Sequence, residues 1–310
     1  MENFKKYYKF PLHIDEYCQE YIWTDDDQMA LNYLDERKLY KQKDTTEILD
    51  ENYYVEKKKN GTLSILYYFV VMYILGTVAQ FILMFIAPLV TGIELMDPET
   101  QEILPQNMDF IMSWTQIVIY ISLTIGLVIL SKKYLLKYLI DFKNNYKKLS
   151  IEIIKGIGIF ILTIVASNLF LKLLNIESES DNQEVIISML NGNYKYLITF
   201  VIVVLGPICE EIIFRHSIFS LFKKNTNKWI KILVSGLIFG GIHFVMSMFN
   251  YIIAKESFTV ILTEFLLGMT YVASGVSLGY IYTRCKENLI PVLIIHIFNN
   301  ILAAIQILSN

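Results

Sequence analysis

Glu210, Glu211, Arg215 and His216 stand in "LGPICEEIIFRHS", residues 205–217, a run otherwise apolar enough to cross a membrane. An ionisable side chain at the centre of a bilayer costs at least ~2.5 kcal/mol on insertion scales, so each must face the bundle interior and find a partner. Glu211 and Arg215 are four residues apart and share a helix face, where they can form an internal ion pair. Glu210 is rotated by ~100° from that face and has no local cation. Downstream, "FGGIHF" places His243 four residues after Phe239, and "IIHIFNN" places His296 and Asn300 on one face, with Asn299 beside them. A glutamate close to a histidine can deprotonate a water. A second histidine and a carboxamide can donate hydrogen bonds to a developing oxyanion, an effect worth ~3–4 kcal/mol per donor in known cases. That chemistry is hydrolysis of an acyl group, with a peptide bond as the leading case.

Other chemistries use the same residues. Glu210, His243 and His296 could hold zinc, although no HExxH is present and the ligands would come from three helices. Intramembrane Glu and His also serve proton relays in transporters, for which Glu264 would be the best additional group; its alternative is to snorkel toward the interface. The polar groups could also be interhelical hydrogen-bonding glue in a non-catalytic membrane protein that binds a peptide.

Three helices must deliver these groups to one layer. With Lys223, Lys231 and Asn288 as markers of one membrane face, Glu210 lies ~19 Å deep, His243 and Asn300 ~18 Å, and His296 ~12 Å at 1.5 Å per residue. All fall near the middle or in one half of a ~30 Å hydrocarbon core. Gly206-Pro207 just before Glu210 removes a backbone donor and predicts a local disturbance of the helix. Gly240 and Gly241 predict close approach of another helix near His243.

The wider pattern supplies those helices. Hydrophobic residues make up 54% of the 310, and the mean hydropathy is +0.43, a balance that soluble domains of this length rarely reach. Seven apolar runs are long enough to span: 63–91, 109–131, 151–175, 194–222, 228–249, 258–283 and 288–308. The connecting segments alternate in sign, from "VEKKKNG" through "ELMDPETQEILPQNMD", "SKKYLLKYLIDFKNNYKK" and "ESESDNQEVIISMLNGN" to "TRCKEN". The expected fold is therefore an all-α polytopic membrane protein of about seven transmembrane helices in the cell membrane, N-terminus cytoplasmic by the positive-inside rule.

Residues 1–61 form a polar extension, expected to be cytosolic and to hold a few short helices, one of them amphipathic over "DDDQMALNYLDERKLYKQ". The remainder divides into N-terminal transmembrane helices over 62–192 and a helical core over 193–310. No basic tract suggests nucleic acid, and the N-terminus has no apolar signal-peptide core. Cys18, Cys209 and Cys285 are too few and too scattered for a disulfide framework or a zinc ribbon.

The order EExxxR (Glu210, Glu211, Arg215), FxxxH (Phe239, His243) and HxxxN (His296, Asn300) resembles the CPBP family. That family comprises the Rce1-like CAAX proteases and the bacteriocin-processing or immunity proteins also called Abi. The resemblance covers about residues 195–305 and includes "LGYIYTRCKENLIPVLIIHIFNN". It implies a glutamic intramembrane endopeptidase without a cofactor. Glu210 and His243 would activate water, His296 and Asn300 would form the oxyanion hole, and Glu211, Arg215 and Asn299 would be supporting residues. It also implies a peptide or lipidated-protein substrate reached among membrane lipids, with CAAX processing, peptide processing and bacteriocin immunity all open.

Overall fold

The computed structural model describes residues 8–11, 21–24, 53–86, 89 and 104–309. The chain divides into two compact units, Met1–Lys57 and Lys58–Asn310. In the first, β1 (Tyr8–Pro11) and β2 (Tyr21–Thr24) pair antiparallel, with Tyr8 opposite Thr24 and Pro11 opposite Tyr21. "YKFP" and "YIWT" are rich in the aromatic and β-branched residues that favour strands, so a ribbon forms where short helices were expected. The amphipathic helix anticipated over "DDDQMALNYLDERKLYKQ" lies outside the described residues.

The second unit is helical. Among the described residues seven helices are long and apolar enough to cross a membrane: α1 (Tyr53–Ile86), α2 (Pro105–Asn144), α3 (Tyr146–Leu173), α5 (Lys195–Leu221), α6 (Lys228–Ile253), α7 (Phe258–Arg284) and α8 (Leu289–Ser309). Each corresponds to one of the seven apolar runs. A shorter helix, α4 (Asp181–Leu190), lies inside the acidic segment read as a loop. Ser180 caps it by accepting the Gln183 backbone N–H at 3.3 Å, half of an S-x-x-Q capping box. Its Met189 and Leu190 are buried with Ile117, Ile198, Val201 and Leu205.

Helix α2 also exceeds its expected end. Forty residues at 1.5 Å each make about 60 Å, twice the thickness of a hydrocarbon core. The lysine-rich stretch after Ser131 holds no Gly or Pro, and its Tyr134 and Tyr138 are buried one turn apart, so the helix continues to Asn144. Only Asn145 separates it from α3.

Helix α5 is the most buried of the spans and sits in the middle of the unit. Its hydrogen-bond ladder is interrupted twice by wide, π-type turns, at Val201–Leu205 and Ile212–Ser217. In the first, the Gly206 N–H reaches back five residues to the Val201 carbonyl. Pro207 has no N–H to offer Ile202, so the disturbance expected at Gly206-Pro207 takes the form of a widened turn with a freed carbonyl. In the second, carbonyls are taken by hydroxyls: Ser217 donates to Ile212 at 2.9 Å and Ser235 of α6 to Phe214 at 2.7 Å. Helices α6 and α7 are in backbone contact. A Cβ built on Gly240 would lie 2.5 Å from the Val272 nitrogen, and one on Gly236 2.8 Å from the Val276 nitrogen. Gly236 and Gly240 form the close-approach stripe; Gly241 meets nothing nearer than 3.7 Å.

Candidate active site

The short stretch between the two wide turns of α5, Gly206–Glu211, presents the two glutamates. Glu211 points into the bundle and is fully buried. Its Oε2 lies 3.2 Å from Arg215 Nε, one turn along, and both side chains have no exposure at all. The Arg215 guanidinium lies over the Phe239 ring at 4.9 Å and donates a long bond of 3.4 Å to the Gly275 carbonyl of α7. The pair is close but poorly aligned: Glu211 Oε2 and Arg215 Nε and NH1 complete no hydrogen bond in this geometry.

His296 of α8 is wedged between the two glutamates. Its Nδ1 lies 2.9 Å from Glu211 Oε1 and its Nε2 3.5 Å from Glu210 Oε2. Sequence spacing paired Glu211 with Arg215 alone; the structure gives it His296 as well. Carboxylate oxygens accept, so closing both contacts takes a proton on each ring nitrogen, or one on the ring and one on a carboxyl group. Glu210 is the most accessible of the three. Its side chain is 14% exposed, against 7% for His296 and none for Glu211.

His243 of α6 is partly buried on the same side. Its Nδ1 lies 2.7 Å from the Phe239 carbonyl, which can only accept. Nδ1 therefore carries the proton, and in the neutral ring Nε2 presents a lone pair. Glu210 and His296 are both near enough to His243 to act on it electrostatically. Phe239 joins these groups: its ring is 5.0 Å from His243, 6.0 Å from His296 and 5.2 Å from Phe214.

Asn300 answers the freed carbonyl of α5. Its Nδ2 donates to the Ile202 oxygen at 3.0 Å, the acceptor that Pro207 leaves without a donor. Asn299 donates only to Asn300 Oδ1, at 3.3 Å. The spacing i, i+4 could nominate His296 and Asn300 as a pair, but the link from Asn300 to α5 depends on the wide turn and has no sequence signal beyond Pro207.

Three further features bear on the site. His216, next to Arg215 in the chain, faces away into a separate network with Tyr138 at 2.9 Å and Asn60 at 2.8 Å. Glu264 does not snorkel to an interface. It is buried at 4% exposure and accepts the Asp181 backbone N–H at 3.4 Å, its Oε1 unpartnered. The start of short α4 meets α7 and supplies that N–H, an effect invisible from hydropathy. A cavity of about 460 Å³ lies alongside, lined by Ser180, Gln183, Tyr271 and Ser274 among others.

The described thiols offer no competing nucleophile. Cys209 is buried against the Thr124 hydroxyl at 3.2 Å, and burial pushes the Cys285 thiol up to about 11. Among the described residues no three His, Cys, Asp or Glu side chains converge as a metal site requires. The arrangement as it stands is a partly accessible carboxylate against one imidazole, within electrostatic range of a second, on a fully buried ion pair.

A seven-span helical protein with ionisable groups gathered inside the bundle is a polytopic membrane protein with a built polar site. Its closing helices are similar to a known family: residues 192–302 match the family model described as type II CAAX prenyl endopeptidase Rce1-like. That interval contains Glu210, His243, His296 and Asn300. A putative membrane peptidase of Bacillus subtilis, YdiL, is 28% identical over 143 residues, covering 46% of this chain and 50% of that protein. An uncharacterized protein of Mycoplasma capricolum is 34% identical over 134 residues, 38% of each chain. The chain thus spans half or less of the length of these relatives. No solved structure matches.

Proposed function

We propose that this protein is an intramembrane endopeptidase of glutamic type. Glu210, with His243 beside it, takes a proton from water, and the resulting hydroxide attacks a peptide carbonyl. His296 and the second N–H of Asn300 Nδ2 stabilise the oxyanion, while Glu211 and Arg215 hold α5 and α8 in register. The observation that carries this reading is the gradient of burial within one cluster: Glu211 and Arg215 are sealed, and Glu210 alone keeps 14% exposure beside an imidazole. A carboxylate meant only to neutralise charge would be sealed like its neighbour. The similarity of residues 192–302 to a peptidase family supports the same chemistry.

The substrate class under this reading is a peptide or a lipidated protein segment that reaches the site from the bilayer. The N-terminus lies on the cytoplasmic side, as the basic segments at 55–61 and 131–148 favour. No metal takes part.

The test is hydrolysis of a peptide library by detergent-purified protein, with and without chelator, wild type beside Glu210→Gln. Cleavage that is lost in the variant and indifferent to chelator is the expected result. Cleavage abolished by chelator and restored by zinc would replace this mechanism with a metallopeptidase built on Glu210, His243 and His296. Absence of cleavage across the library would transfer the weight to a non-catalytic peptide-binding or immunity protein.

A further inference from the structure

His243 is held by more than its own helix. An imidazole anchored only through Cα and Cβ can turn about its last torsion and carry both nitrogens to the opposite side of the ring axis. Here the ring is fixed by three contacts. Nδ1–H donates to the Phe239 carbonyl at 2.7 Å. The Phe239 ring stands tilted against it at 5.0 Å. The third is Tyr271 of α7, whose ring lies parallel to the imidazole at 4.6 Å, with 10° between the planes.

Tyr271 is itself anchored. Its hydroxyl lies 3.0 Å from Ser180 Oγ and accepts from Asn182 Nδ2 at 3.3 Å, both at the start of α4. Ser180 is buried and caps that helix. On the backbone side, the next residue, Val272, is the one against which Gly240 brings α6 into contact. The stacked pair therefore sits directly beside the tightest helix crossing in the unit, with its ring clamped from the far end by the α4 cap.

We propose that Tyr271 is a positioning residue for His243: its ring holds the imidazole with Nδ1 toward Phe239 and the Nε2 lone pair toward the Glu210 layer, and the α4 cap holds the ring. This rests on the endopeptidase reading for its kinetic consequence, and on geometry alone for its spectroscopic one. Tyr271 touches no reacting atom. It acts through His243, so its loss lowers turnover by letting that imidazole misalign, and binding of the substrate is little affected.

The test uses full-length protein with ¹⁵N-labelled histidine, in which His243 is assigned by difference with His243→Gln. Tyr271→Met fills the same space without a ring. It is expected to lower kcat about 10- to 100-fold, the scale of a misplaced catalytic group, with KM changed less than about threefold. The His243 nitrogens, a single Nδ1–H tautomer in the wild type, become a mixture. Tyr271→Phe keeps the stack and is expected to restore most of the turnover and the single tautomer. If Tyr271→Met fails to fold, Tyr271→Leu takes its place. A ring-less variant with wild-type kcat and a single tautomer overturns the proposal. Equal losses in the Met and Phe variants with the tautomer unchanged also overturn it, since the residue is then only scaffold. If the wild type cleaves nothing, the endopeptidase reading fails by itself. The tautomer then decides: a mixture in the ring-less variant supports the clamp, and an unchanged signal refutes it.

Discussion

Two buried polar assemblies lie on adjacent turns of α5 and differ in kind. Around His216 the hydrogen bonds run to neutral side chains: Tyr138 at one ring nitrogen, Asn60 at the other, Tyr282 3.5 Å beyond Tyr138 and Ser131 3.5 Å from Asn60. Asn60 also donates to the Leu130 carbonyl at 2.7 Å, and Asn288 to that of Tyr138 at 3.0 Å. These bonds stitch α1, α2, α5 and α7 together with donors matched to acceptors. Around Glu211 the groups are charged, and several polar atoms complete no hydrogen bond. One member, Glu210, keeps partial exposure. A matched neutral network stabilises one arrangement of helices. An incompletely matched charged cluster costs stability, which favours a chemical role for it over an architectural one. His216 and His296 thus sit in different surroundings, although sequence presents both as ionisable residues in apolar runs.

That contrast can be broken by substitution. The largest expected effect is Glu211→Gln, which leaves Arg215 buried without a counter-charge. About 3–5 kcal/mol of stability should go, measured as a collapse of the thermal unfolding midpoint in detergent. Next is Asn300→Ala. Under the proposed mechanism it removes an oxyanion donor, so kcat should fall about 100-fold or more. It also strips the Ile202 carbonyl of its donor, so the midpoint should fall modestly as well. His216→Phe comes third: Tyr138 and Asn60 lose their shared partner, at about 1–3 kcal/mol, while turnover per folded molecule stays at the wild-type level. Asn299→Ala is the smallest. Its side chain donates to its neighbour Asn300 Oδ1, so both activity and midpoint should stay within measurement error of wild type. An Asn299 effect that exceeds the Asn300 effect would reverse the assignment of donor between them.

The seven spans were legible because a run of some 20 apolar residues has few alternatives. The ion pair of Glu211 with Arg215 was legible because helical spacing sets it. What escaped the sequence reading depends on tertiary packing or on breaks in regular geometry. The extension of α2 to Asn144 needed Tyr134 and Tyr138 to be recognised as a buried stripe among lysines. Helix α4 was signalled by Ser180 and Gln183, but its acidic surroundings read as loop. Glu264 passed for an interfacial residue because nothing in its own helix shows that the start of α4 reaches it. The bridge of His296 between two glutamates and the bond from Asn300 to Ile202 join residues 85 and 98 positions apart. The second also requires the widened turn at Pro207. Tyr271 carries no motif at all; only the parallel stack on His243 reveals it.

The most direct test compares Glu210→Gln with His216→Phe in the same preparation, reading peptide cleavage and thermal midpoint for each. The charged cluster is the working one if Glu210→Gln loses cleavage by about 100-fold or more at an unchanged midpoint, while His216→Phe lowers the midpoint and cleaves at the wild-type rate per folded molecule. Wild-type cleavage by Glu210→Gln would contradict that account, because the most accessible carboxylate of the cluster would then have no part in the chemistry.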